Sequence, residues 1–201
     1  MAFDQRKDGF GTFSRRGFLR QAAIGLLAAS PASGLLAAPA GSAVESGPRR
    51  LSFRHTHTGE RLSLTYFEAG AYLGSALARI DVLLRDFRTE SVHRIDPQLL
   101  DVLFSLQCRC GGDEAFEIIS AYRSPATNAK LRARSANSGV AENSLHLDGR
   151  AIDVRLPGQS TGRLALLARQ MQSGGVGYYR VSDFVHVDTG RVRVWGDRVR
   201  A

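Results

Sequence analysis

Ser144-Leu145-His146-Leu147-Asp148-Gly149-Arg150-Ala151-Ile152-Asp153-Val154 is the stretch that decides the fold. It places a histidine seven residues before an aspartate, with Gly149 between them to let the chain turn. Ala151-Ile152-Asp153-Val154 reads as a strand, so Asp153 is a carboxylate in apolar company. A second stretch, Asp183-Phe184-Val185-His186-Val187-Asp188, puts an imidazole in the same setting. A buried unpaired charge is costly, and a buried imidazole needs a partner. A cation would satisfy both. Two imidazoles and one carboxylate suit Zn²⁺, which takes N and O ligands in a tetrahedron and can leave a fourth position for water. Such a site keeps about one positive charge, which lowers the pKa of the water toward about 7 and polarises a bound carbonyl. Spacing alone is a weak warrant for this. The competing reading is a surface pair of His146 with Asp153 and a satisfied core His186.

Outward from these strands, the periodicities give an element order. Leu51 to Phe67 alternates in patches around Thr58-Gly59-Glu60 and reads as a β-hairpin. Tyr72 to Phe87 carries apolar residues at spacings of three and four and reads as an amphipathic helix. Asp96-Pro97 opens a second helix, with Asp96 as N-cap and Pro97 in the first turn, and Gly111-Gly112 stops it. Phe116 to Tyr122 is a buried strand, Ser124-Pro125 starts a short helix through Arg134, and 135–144 is a polar loop. Arg163 to Gln172 is a helix. Val176 to Tyr179, Phe184 to Val187 and Val192 to Trp195 are short strands. This is α+β: a single compact domain, a small mixed or antiparallel sheet flanked by helices, and the zinc site at the sheet.

The chain has 201 residues, and the N-terminal part does not belong to that domain. Arg15-Arg16-Gly17-Phe18-Leu19 precedes an apolar run from Ala22 to Ala29, and small residues follow around Ala38-Pro39-Ala40. The uninterrupted apolar core is shorter than the roughly 20 residues of a membrane span. A basic start, an apolar middle and a small-residue end form a secretory signal, and the twin arginine resembles a twin-arginine translocation signal. The expected organisation is 1–40 signal, 41–50 Gly/Ser/Pro linker and 51–201 domain. Export machinery of the twin-arginine type is then a partner, the periplasm the destination, and no stable membrane span remains after signal removal. The signal's five basic residues against two acidic ones take the net charge from +8 to +5. That balance suggests an anionic partner. Nucleic acid is disfavoured by the signal and by the absence of aromatics interleaved in a basic stripe. The two cysteines, Cys108 and Cys110, are too few for a disulfide scaffold and too close for easy bridging, and read as reduced core or interface residues.

Ser144-x-His146-x-x-Gly149-x-Ala151-x-Asp153 followed by Phe184-Val185-His186-Val187-Asp188 resembles the zinc D,D-peptidases of the cell wall. Further runs are similar to an exported murein endopeptidase subfamily. These are His57-Thr58-Gly59-Glu60, Arg85-Asp86-Phe87-Arg88-Thr89, Tyr122-Arg123-Ser124-Pro125-x-Thr127-Asn128, Gly174-Gly175-Val176-Gly177-Tyr178-Tyr179 and Thr189-Gly190-x-Val192-Arg193-x-Trp195. The resemblance covers about residues 50–196. It implies that His146, Asp153 and His186 bind Zn²⁺ and that the substrate is peptidoglycan peptide. It leaves open a D,D- or L,D-carboxypeptidase acting on stem peptides, and a non-catalytic cell-wall binding module. The bond cut is not written in the sequence.

Three further residues are catalytic candidates. Arg123 stands where the resembled peptidases place an arginine facing the site, to hold a substrate carboxylate or the developing oxyanion. Its plain alternative is a surface ion pair. Asp183, three before His186, is the first candidate for the general base, against a turn residue at Ser182-Asp183. Asp188 shares the strand face of His186 and is the second candidate, or an orienter of the imidazole. His55 and His57 lie two apart and read as an exposed strand face, since such a pair lacks a third ligand.

Overall fold

The computed structural model describes residues 47–134 and 141–198. The leader at 1–40, most of the 41–50 linker and positions 135–140 of the polar loop lie outside the described residues. The element order is β1 Arg49–His55, β2 Arg61–Glu68, β3 Ala71–Tyr72, α1 Gly74–Leu83, α2 Pro97–Cys110, β4 Phe116–Ser120, α3 Pro125–Ala133, a 3₁₀ turn Leu145–Asp148, β5 Ala151–Arg155, α4 Thr161–Met171, β6 Gly175–Tyr179, β7 Phe184–Asp188 and β8 Arg193–Gly196. All eight strands join one sheet in the order β3-β2-β1-β4-β5-β7-β6-β8. β1 runs parallel to β4 and β6 parallel to β8, and the other pairs are antiparallel. The α+β class and the mixed sheet match the sequence expectation. The first strand starts at Arg49, inside the stretch read as linker.

Alternation sorts the strand residues onto two faces. Phe53, Phe116, Ile118, Ile152, Val154, Val176, Val185 and Val187 are buried in one apolar core. α2 packs on β1 and α4, α4 packs on β6 and β7, and α1 packs on β2. In α2, Leu99, Leu100, Leu103 and Leu106 are fully buried, each contributing about 1.5–3 kcal/mol of transfer free energy. The Asp96 carboxylate caps that helix by accepting from Gln98 N at 3.0 Å, and Gly111 ends it in the left-handed region at φ 73°.

The helix expected over 72–87 is shorter, Gly74–Leu83. Leu84 is its C-cap and remains fully buried, so the apolar spacing continues past the helix end. Beyond it the chain folds into a tight loop, Asp86 N donating to Ser91 O at 3.0 Å. The buried Asp86 carboxylate fixes this loop. It accepts from Arg88 N (3.1 Å), Ser124 N (2.9 Å) and Ser124 Oγ (2.6 Å), tying the loop to the start of α3. Burial pushes its pKa up, but these donors outweigh burial and hold it below the usual carboxylate value.

Candidate metal centre

The site lies on the sheet face opposite the Val-rich core. On β5 and β7, Asp153 and His186 are direct cross-strand partners, so their side chains rise side by side. His146 comes from the 3₁₀ turn that precedes β5. Gly149 makes that turn, with φ at 65° and the Arg94 carbonyl packed so close that a Cβ would collide with it. On the other side, the β4–β5 register shifts between Ile118 and Ser120, and the chain leaves β4 through Ala121 to Arg123. Arg123 N donates to His146 O at 3.0 Å, joining the two entrances to the site.

His146, Asp153 and His186 are all buried, and one ligand atom of each lies within 4.8 Å of the others. His146 Nδ1 sits 2.6 Å from Ala121 O, so Nδ1 carries the proton and donates. That leaves the Nε2 lone pair facing His186 Nδ1 at 3.2 Å and Asp153 Oδ1 at 3.4 Å. His186 Nδ1 is 2.9 Å from Asp153 Oδ1, while its Nε2 donates to Asp188 Oδ2 at 3.1 Å. Each imidazole is thus tied off on its outer nitrogen and offers the inner one to a common point. Burial lowers the His146 pKa and is the largest effect there. Burial also pulls His186 down, but its bonds to Asp153 and Asp188 outweigh it and the net shift is upward. The Asp153 carboxyl is held well below the usual range: burial opposes this, and His146 and His186 prevail. Two nitrogen donors and a carboxylate oxygen, turned inward and shielded from water, fit a metal ion.

Asp188 is fixed from four sides. Besides His186 it accepts from Gly175 N (3.0 Å), Gly190 N (2.8 Å) and both guanidinium nitrogens of Arg193 (3.1 and 2.7 Å). Arg193 comes from β8, as does Trp195. The Trp195 ring lies over Gly177, where a Cβ would be 2.6 Å from it, and 5.1 Å from the His186 ring. Its Nε1 donates to Tyr179 Oη at 2.9 Å, and Tyr179 stacks on Phe184 at 4.6 Å. These aromatics form one wall of a cavity of about 300 Å³ that opens onto the three ligand atoms. Arg123, Asn143 and Ser144 line it from the polar side. The sequence alone shows no role for Arg193, Trp195 and Tyr179. Their signal is the glycine pair 175/177, which empties the β6 face so that β8 side chains reach β7.

Arg123 is buried beside the cluster. Its Nη2 is 3.9 Å from Asp153 Oδ2, its Nη1 donates to Asn128 Oδ1 at 3.5 Å, and its Nε has no partner among the described residues. Burial lowers its pKa, partly offset by Asp153. The structure does not bring Asp183 into the cavity. It sits in the turn before β7 at φ 51°, accepts from Thr161 Oγ1 at 2.8 Å and pairs with Arg155 at 3.3 Å. Those partners line a neighbouring depression. His55 differs from the expected exposed face. β1 ends at His55, on the core face with Phe53, and its buried Nδ1 accepts from His57 N and Thr58 N. His57 is beyond the strand and exposed. Cys108 is exposed and Cys110 half-buried at the end of α2.

A family model described as peptidoglycan L,D-endopeptidase MepK matches residues 43–195. The chain is 44% identical over 149 residues to the probable peptidoglycan L,D-endopeptidase MepK of Haemophilus influenzae, covering 74% of this chain and 79% of that one. It is 41% identical over 148 residues to the peptidoglycan L,D-endopeptidase MepK of Escherichia coli K12, covering 74% of this chain and 80% of that one. No solved structure matches it.

Proposed function

The chain belongs to the peptidoglycan L,D-endopeptidase MepK family of peptidases, and from that premise we propose that it is a metal-dependent murein endopeptidase that hydrolyses peptide cross-links of the cell wall. The observation that carries the reading is the convergence of His146 Nε2, His186 Nδ1 and Asp153 Oδ1 on one point, with the outer nitrogens of both imidazoles already engaged. This donor set suits zinc. A metal ion held there supplies a Lewis acid for the scissile carbonyl and lowers the pKa of the attacking water. The L,D bond named for the relatives is the bond assigned to this chain.

The chain's own groups do the rest. Arg123, with its Nε unpartnered, binds the carbonyl oxygen as it becomes an oxyanion, or a carboxylate of the stem peptide. Asp188, gripped by Arg193, keeps the His186 proton on Nε2 and the ring in place. Trp195, Tyr179 and Phe184 hold the peptide and exclude water on the apolar side. Asp153 is the one carboxylate among the described residues lining the cavity. Asp183 takes the proton of the water only if it exchanges Thr161 and Arg155 for a bond into the cavity.

Action on cell wall places the chain outside the cytoplasmic membrane. The leader at 1–40 supports export to the periplasm through the twin-arginine machinery, already folded. The mature net charge of +5 supports attraction to the anionic peptidoglycan layer, weakening as salt rises. The test is metal content of the purified chain followed by mass spectrometry of soluble products from purified sacculi. Stoichiometric zinc and cross-link cleavage are expected, with both lost when His146, Asp153 and His186 are all alanine. Zinc retained by that triple variant would overturn the ligand set. Release of terminal residues alone would mean a carboxypeptidase, and binding without products a non-catalytic module. Arg123→Ala should keep zinc and lower turnover by roughly 10²–10³ if it contacts the oxyanion.

A further inference from the structure

The run Arg85-Asp86-Phe87-Arg88-Thr89 is not used by the metal centre, yet the fold invests in it. The Asp86 carboxylate ties it to Ser124, the neighbour of Arg123, and Thr89 Oγ1 donates to Ser124 Oγ at 3.3 Å. Arg88 lies with its Cζ 4.0 Å over the Phe87 ring, and Phe87 stacks on His57 at 4.1 Å with the planes 12° apart. This three-layer stack holds the guanidinium in one place, so less freedom is lost when it binds something.

Arg88 and Thr89 form one side of a groove of about 320 Å³. The other side is one face of α3 and its C-cap: Thr127, Lys130 and Leu131 of the helix and Arg134 just after it, at spacings of three and four. No acidic residue lines it. Elsewhere Arg49, Arg54, Arg85, Arg150, Arg155 and Arg193 each face a carboxylate within salt-bridge distance. Arg88, Lys130 and Arg134 have no ion pair among the described residues. Burial lowers the Arg88 pKa, and although Asp86 offsets part of this, Arg123 and Arg134 push it lower still, so the like charges are close enough to repel. Gathered cations with no ion pair among the described residues, one of them pinned on an aromatic ring and set against Asp86 alone, are arranged for an anion that arrives from outside. Arg123, which lines the cavity at the metal centre, is near enough to Arg88 for the two charges to repel.

We propose that the groove between Arg88-Thr89 and α3 is a carboxylate-binding subsite, which holds an acidic arm of the peptidoglycan stem peptide while the peptide's scissile bond lies at the metal centre. Planar guanidinium groups take carboxylates in pairs of hydrogen bonds. The proposal rests on the peptidase reading above, and its ligand is the free carboxylate rather than the peptide backbone.

The test uses the metal-loaded full chain and two cross-linked stem-peptide substrates, one with free carboxylates and one with the carboxylates away from the scissile bond converted to amides. With free carboxylates, Arg88→Gln/Arg134→Gln should raise KM roughly tenfold or more, with a smaller change in kcat. Amidation should cost the unaltered chain a similar factor, and the variant should no longer distinguish the two substrates. Because Arg88 also packs on Phe87, Lys130→Gln/Arg134→Gln is measured beside it. Its side chains are exposed, and a KM rise of several-fold for the free-carboxylate substrate alone is expected. Binding of a fluorescein-labelled acidic stem peptide by anisotropy is read separately. Absence of turnover in the unaltered chain would sink the peptidase reading and leave the anisotropy comparison to test the groove. Equal binding of free and amidated peptides, or equal KM in both variants and the unaltered chain, would overturn the subsite.

Discussion

Asp183 enters β7 and Asp188 leaves it, with His186 between them, and the two carboxylates meet opposite fates. The Asp188 side chain is 0% exposed and bonded to His186, Arg193 and two backbone N–H groups. The Asp183 side chain is 57% exposed, in a left-handed turn, and serves Thr161 and Arg155. A carboxylate's role here follows from what closes over it. Gly175, Gly190 and β8 close over one end of the strand, and among the described residues nothing of the kind closes over the other. The largest test of this contrast is at its centre. His186→Ala should leave the purified chain without metal by mass spectrometry and without product release from sacculi. Metal retained in full would mean that β7 does not hold the site at all.

The next effect belongs to the buried end. Asp188→Asn should weaken metal affinity by roughly 10–100-fold, read by competition with a fluorescent chelator. The same carboxyl is held far below the ordinary carboxylate range: burial opposes this, but His186 and Arg193 prevail. A folded pKa below the unfolded value of about 3.9 stabilises the fold above that pH, and the stabilisation is lost as pH falls toward the folded value. Thermal melts of the metal-free chain should therefore steepen in their decline below about pH 4, and less so in Asp188→Asn. Removing the outer clamp alone, Arg193→Met, should lower metal affinity less, by a few-fold to about tenfold, with Arg193→Lys recovering part of it. The smallest effect is at the exposed end. Asp183→Ala should leave metal content and turnover within about twofold and stability within about 0.5 kcal/mol, as for surface substitutions. Loss of most turnover with metal retained would make Asp183 the proton acceptor and collapse the contrast.

The sequence made the centre of this region legible because His146, Asp153 and His186 stand in apolar surroundings that a lone polar group cannot occupy cheaply. It did not separate Asp183 from Asp188, because alternation assigns faces and says nothing of which segment lies across them. Arg193 and Trp195 were hidden for the same reason: their place depends on β8 pairing in parallel with β6, a non-local choice. A shared face for His55 and His57 needs β1 to run two residues further than it does. Had β1 continued, His55 and His57 would share a face, but the turn at Thr56 to Thr58 ends it. The apolar spacing predicts a helix to 87 because buried Leu84 keeps helical spacing, whereas the loop that follows Leu83 is anchored by a polar group, Asp86. The strand 116–122 that leads to Arg123 and the short strands that carry Asp153 and His186 were readable in outline, while the order of the strands and the hydrogen bonds that lock them together were not.

The chain contains a single tryptophan, and it is Trp195, against the His186 ring. Its emission is therefore a built-in optical probe of the metal centre, with no second fluorophore of its kind to dilute the signal. A charged imidazolium beside an indole quenches it, and a cation that displaces the proton changes that quenching. Stopped-flow mixing of metal-free chain with zinc can time the filling of the site, without a label and without a substrate.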